Sequence, residues 1–213
     1  MRATSRCEPS FTPELPQARA SGPAWHRISL ELQDVDFRIG GMERWKGVAN
    51  WIATTGAIAF IIVLFLSAYW EADIRWLHFF QSWMYLVAIA LIWKGSKWGY
   101  FVGFGTALFW NYTTLFVNTF LKNGWEQAQI LIHTGQLPRP DLFISVPAWS
   151  GNLAVLVGCI VGYLLAPEKK WTDLLRCVTG MAASIAFFAL IIAVCQPRYL
   201  PLFRGAIHPQ LHW

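Results

Sequence analysis

Apolar residues in this chain come in long unbroken intervals with no Asp, Glu, Lys or Arg, covering 47–70, 76–93, 98–121, 142–167 and 177–197. Between them lie short polar connections, except for one longer segment from Lys122 to Asp141. About 20 apolar residues in helical conformation cross the roughly 30 Å hydrocarbon core of a bilayer. A charge placed at the centre of such a helix costs about 2.5–3.5 kcal/mol. Five intervals from which charge is excluded therefore predict an all-α integral membrane protein built as a bundle of five transmembrane helices.

The longer connection has its own pattern. Within it, Trp125, Ala128, Leu131 and Ile132 separate from Glu126, Gln129 and His133 at helical spacing. The segment is too short to cross a bilayer and predicts a helix lying on the membrane surface, ended near Gly135 and Pro138-Arg139-Pro140. Residues 1–41 differ in kind: four prolines, mixed charge and no helical period predict a disordered tail. Met42, followed by Glu-Arg-Trp-Lys, resembles a translation start, so this tail is expected to be either disordered or upstream of the true start. Residues 42–213 form the expected membrane domain.

Charge sets the expected orientation. Arg38, Arg44, Lys46, Lys94, Lys97, Lys169, Lys170 and Arg176 fall on one side of a five-span chain, and Arg75, Lys122, Arg139, Arg198 and Arg204 on the other. Eight against five places the amino terminus in the cytoplasm and the carboxyl terminus outside. Compact loops and the lack of a targeting segment point to the inner membrane of a bacterium, with the lipid bilayer as the first partner. The net charge of +5 is dispersed, with no compact basic stripe of the kind that nucleic acid requires.

Thirteen tryptophans sharpen the picture. Most lie near the ends of the intervals, where an indole buries its ring and keeps its N–H wet. Trp110, inside the third interval, is the exception. In span number and tryptophan content the chain resembles the tryptophan-rich sensory protein (translocator) family. That family's Trp-Xaa-Pro-Pro segment does not occur here, so the resemblance transfers no residue role. Gly99 with Gly103, and Gly158 with Gly162, have the four-residue spacing that lets helix backbones approach. These pairs serve either internal packing or a homo- or hetero-oligomeric contact.

Two polar stripes carry the candidate chemistry. His78, Gln81, Ser82 and Tyr85 share one face of the second interval. Gly103, Ala107, Asn111, Thr114 and Asn118 share one face of the third, within an arc of about 80° at ~100° per residue. With the first span running outward, both stripes lie in the outer half, where His78, Gln81, Ser82, Tyr85, Asn111, Thr114 and Asn118 would line a ligand pocket. Glu71, Asp73, His133, Ser150 and Asn152 gather on that side.

The absences narrow the function. No interval contains the carboxylate usual in proton relays or ion-coupled pumps. No phosphate loop, His-Glu-x-x-His segment, Cys-x-x-Cys pair or other metal-ligand spacing is present. No catalytic residue, cofactor or metal is indicated, which argues against an enzyme. The reading that follows is binding, or facilitated movement, of a small uncharged or weakly charged molecule. Two alternatives stand beside it: a non-catalytic subunit or assembly factor docked through a glycine face, and a membrane enzyme acting on a lipid or quinone through His78 with Glu71 or Asp73.

Overall fold

The computed structural model describes the backbone of residues 24–201 and the side chains of residues 41–201. The described residues divide after Gly40 into two units, and the second, from Gly41 onward, holds everything discussed below. The expectation for the tail falls on residues 1–23, outside the described ones, and on 24–41, whose backbone is helical.

Every regular element among the described residues is a helix. Helix α1 (Ala24–Trp70) is followed by a 3-10 turn (Ala72–Ile74) and α2 (Arg75–Trp93). Helix α3 (Lys97–Tyr112) runs on as a π turn over Thr113–Val117, and then comes α4 (Phe120–Thr134). A short α5 (Pro140–Phe143) leads into α6 (Ser145–Leu164), and α7 (Thr172–Cys195) ends in a 3-10 turn at Pro197–Tyr199.

Among the described residues, four stretches are long and apolar enough to cross a membrane: Gly41–Trp70, Ala72–Trp93, Pro140–Leu164 and Thr172–Cys195. The interval 98–121 is the one that differs from expectation. Its α-helix is 16 residues long, about 24 Å at 1.5 Å per residue. The π turn then widens the ladder, with Asn118 N bonding to Thr113 O at 3.0 Å, and Asn118 itself is extended (φ −130°, ψ 170°). Short polar side chains at this end bond to nearby backbone and compete with a regular helix. Thr113 Oγ1 donates to Trp110 O at 2.8 Å, and Asn118 Oδ1 accepts from Phe120 N at 3.0 Å. The single face drawn through Gly103, Ala107, Asn111, Thr114 and Asn118 is therefore interrupted after Asn111.

Helix α3 is nonetheless the hub. It packs against α2, α6 and α7, and nine of its 16 residues are buried, against six of 24 in the more peripheral α7. Close approach depends on missing side chains. A Cβ on Gly158 would lie 2.6 Å from Ala53 N and 2.8 Å from Ala49 O, so α1 and α6 touch backbone to backbone there. Gly99, Gly103 and Gly162 likewise face Ile92, Cys159 and Tyr100 of the same chain. All four glycines of the two spaced pairs are thus occupied by internal packing.

The polarity of the bundle is reversed relative to a water-soluble domain. Thr106, Ser145, Asn152 and Ser184 are fully buried, whereas Ile62, Phe65, Trp83, Leu190 and Val194 are exposed. Cross-helix hydrogen bonds use most of the buried polar groups: Tyr85 Oη donates to Asn152 Oδ1 at 2.6 Å, Tyr100 Oη to Asn50 Oδ1 at 2.8 Å, and Thr106 Oγ1 to Ser184 Oγ at 3.2 Å, while Ser145 Oγ has no partner. Apolar flanks around satisfied polar contacts are what a hydrocarbon solvent demands, and the four long helices imply contact with a bilayer.

Helix α4 ends at Gly135, which adopts the left-handed conformation (φ 68°) as the sequence suggests. It rests on the bundle through Leu121, Gly124 and Gln127, and leaves Trp125 and Ile132 exposed.

Candidate functional site

The two ends of the bundle are built differently. At one end, the α2–α3 and α6–α7 connections meet. Asp173, in the first turn of α7 and only 1% exposed, accepts Lys97 Nζ at 2.8 Å, Arg176 Nη1 at 2.9 Å and the backbone N–H of Lys170 at 3.1 Å. Lys97 also donates to the carbonyl of Glu168, a residue whose positive φ (52°) makes the sharp turn of this loop. A carboxylate at a helix N-terminus is favoured by the helix dipole, and here two cations and an amide satisfy it. This end is tied together by ion pairing.

At the other end the helices diverge around a cavity of about 390 Å3. Its apolar wall comes from Phe60, Trp110, Phe109 and Phe188. The π turn contributes Thr113, Thr114 and Val117, the first half of α2 contributes His78 and Gln81, and Asn118 before α4 and Asn123 in its first turn add to the lining. Glu71 and Asp141 also line it. Asp141 is held in a two-bond pair with Arg139, at 3.0 Å to Nε and 2.7 Å to Nη2. The π turn, which departs from the regular α-helical ladder, carries Thr113, Thr114 and Val117 to the cavity wall; such turns are frequent at functional sites.

Two wall groups have acceptor capacity unused by the protein. Gln81 Oε1 is buried and has no hydrogen-bond partner. His78 Nδ1 lies 3.0 Å from the carbonyl of Leu64. A carbonyl only accepts, so Nδ1 carries the proton, and in the neutral ring Nε2 is left as an acceptor. Trp110, the tryptophan inside the third interval, stacks edge-on against Phe60 at 4.9 Å and forms one wall.

The seven residues of the expected pocket divide. His78, Gln81, Thr114 and Asn118 line the cavity. Ser82, Tyr85 and Asn111 are buried in the core instead. Ser82 Oγ bonds to Phe79 O at 2.6 Å, Tyr85 to Asn152, and Asn111 Nδ2 to Ala107 O at 2.8 Å, while Asn111 Oδ1 is buried without a partner but does not line the cavity. Of the neighbouring groups, Asp73 is engaged by Arg198 at 3.3 Å and by Gln196. No cluster of three His, Cys, Asp or Glu residues suited to a metal occurs among the described residues.

Sequence reasoning missed the Asp173 cluster, whose partner Lys97 is 76 residues distant. The one signal available was an acid two residues past Trp171, at a helix start. Comparison of the chain with protein-family models, curated proteins and solved structures finds no match.

Proposed function

We propose that the chain is a five-span protein of a bacterial inner membrane that binds, and passes in a facilitated manner, a small uncharged or weakly charged molecule through this cavity. In this reading α3 with its π turn is the fifth crossing: it is enclosed by α2, α6 and α7 and joined to α2 by a connection too short for anything but an antiparallel return. The ion-paired end, which gathers Lys94, Lys97, Lys169, Lys170 and Arg176, faces the cytoplasm. The cavity then opens toward the outer side, with α4 lying along the interface through Trp125 and Ile132.

The observation that carries the reading is the pairing of an aromatic-walled cavity with an unpartnered buried acceptor, Gln81 Oε1. Ligand cavities are typically about 300–1,000 Å3 and mostly apolar, with a few convergent polar groups. A buried acceptor left without a partner costs about 1–3 kcal/mol, a cost relieved when a ligand brings a donor. With Gln81 Oε1 and His78 Nε2 both accepting, the molecule that fits is compact, partly apolar and offers N–H or O–H groups. Among the described residues no carboxylate lies mid-span to couple movement to an ion, which favours facilitated passage.

Thermal unfolding of the detergent-purified chain against matched series of small amides, alcohols and amines tests this. At least one donor-bearing series should give saturable stabilisation, and Gln81→Leu should remove it. Stabilisation by none of them, or shifts unaltered in Gln81→Leu, would overturn the proposal.

A further inference from the structure

A second concavity lies at the opposite, ion-paired end, where nothing in the proposed function places a site. It is a groove of about 490 Å3 between α3, α6 and α7. Its lining is mostly apolar and aromatic, with Phe101, Phe104, Ile160 and Leu174, while Lys169, Lys170 and Trp171 lie at its rim beside the ion-paired Asp173 carboxylate. Trp171 is 93% exposed, an unusual position for an indole in water but an ordinary one at the headgroup level of a bilayer.

The charge at this rim is unbalanced. Lys94, Lys97, Lys169, Lys170 and Arg176 stand against Glu168 and Asp173 alone in the two connections and the first turns of α7. Asp173 is already shared by Lys97 and Arg176. Lys170 reaches Glu168 at 3.3 Å, but both side chains are exposed, at 60% and 75%, so that pair is weak and exchangeable. Lys169 Nζ donates to the carbonyl of Leu164 at 2.9 Å, which orients the ammonium without neutralising it. An apolar groove walled by membrane helices and topped by an unpaired Lys169 and a weakly paired Lys170 complements a molecule with an anionic head and a hydrocarbon tail. Basic pockets between membrane helices attract anionic lipid headgroups, at about 1 kcal/mol per Lys or Arg near the surface.

We propose that this groove is a binding site for an anionic phospholipid, with one acyl chain between Phe104, Ile160 and Leu174 and the phosphate at Lys169 and Lys170. The proposal rests on the bilayer reading of the spans and not on the cavity at the other end.

Native mass spectrometry of the full chain in neutral detergent, titrated with phosphatidylglycerol or with phosphatidylcholine of identical chains, provides the test. Half-saturation should come at about tenfold lower phosphatidylglycerol concentration, and glycerol phosphate should not compete. Lys169→Gln with Lys170→Gln should abolish the preference, Lys169→Arg with Lys170→Arg should keep it, and Ile160→Trp should weaken phosphatidylglycerol binding by filling the groove. Arg44→Gln with Lys46→Gln, an equal charge loss elsewhere, should keep the preference. Equal binding of the two lipids, an unchanged preference in the Lys→Gln pair, an equal loss in the Arg44/Lys46 pair, full competition by glycerol phosphate, or unaltered binding in Ile160→Trp would each overturn it.

Discussion

The Lys97 end and the His78 end of the bundle solve the same problem in opposite ways. Both bring polar side chains into an apolar helical assembly. At the Lys97 end the polar groups satisfy one another: a nearly inaccessible Asp173 holds two cations and a backbone amide. At the His78 end the polar groups are incompletely satisfied: Gln81 Oε1 has no partner and the helices part around a cavity. Satisfied networks rigidify a fold, and partly satisfied ones cost stability unless something else supplies the missing bond. The contrast teaches where to look for binding. It also assigns the two ends different responses to mutation.

The largest loss is expected from Asp173→Ala, which strands Lys97 and Arg176 against each other; most of the folded yield in detergent should disappear, while Asp173→Glu retains part of it. Next comes Gly158→Leu. With backbone atoms of Ala49 and Ala53 within 3 Å of a Cβ at that position, α1 and α6 must separate, and unfolding should come at least about 1–3 kcal/mol earlier. Asn152→Leu removes the acceptor of the buried Tyr85 hydroxyl and should cost about 1–3 kcal/mol. Asn152 is fully buried, so this loss should be the same with or without any added small molecule. Gln81→Leu should be the mildest for stability, neutral or stabilising by up to about 1 kcal/mol because it removes an unpartnered acceptor. If thermal unfolding instead places Gln81→Leu beside Asn152→Leu, Gln81 Oε1 is as well satisfied as Asn152, and the His78 end lacks the unmet acceptor that sets it apart from the Asp173 end.

The long apolar intervals were legible because lipid imposes one rule, exclusion of charge, over about 20 consecutive residues. That rule locates Ala72–Trp93, Pro140–Leu164 and Thr172–Cys195 to within a few residues. It leaves the inside of the interval 98–121 unresolved, since counting at 100° per residue cannot anticipate that Thr113–Val117 winds as a π turn and that Asn118 leaves the helix. At the cavity, His78 and Gln81 were visible as polar positions on one face of α2. The same pattern swept in Ser82 and Tyr85, because spacing does not distinguish a hydroxyl used in the core, as Tyr85 is by Asn152, from one left free. The Asp173 cluster was invisible for a related reason: its central contact joins residues 76 apart, and nothing local marks the acid as buried.

The central claim is that these helices lie in a bilayer with the ion-paired end in the cytoplasm and the cavity end outside. Paired reporter fusions, of a cytoplasm-active fluorescent protein and a periplasm-active phosphatase, after Ser96 and after Ala72 test it directly. The account predicts fluorescence alone at Ser96 and phosphatase activity alone at Ala72. The same reporter active at both positions, or the reverse assignment, would contradict it.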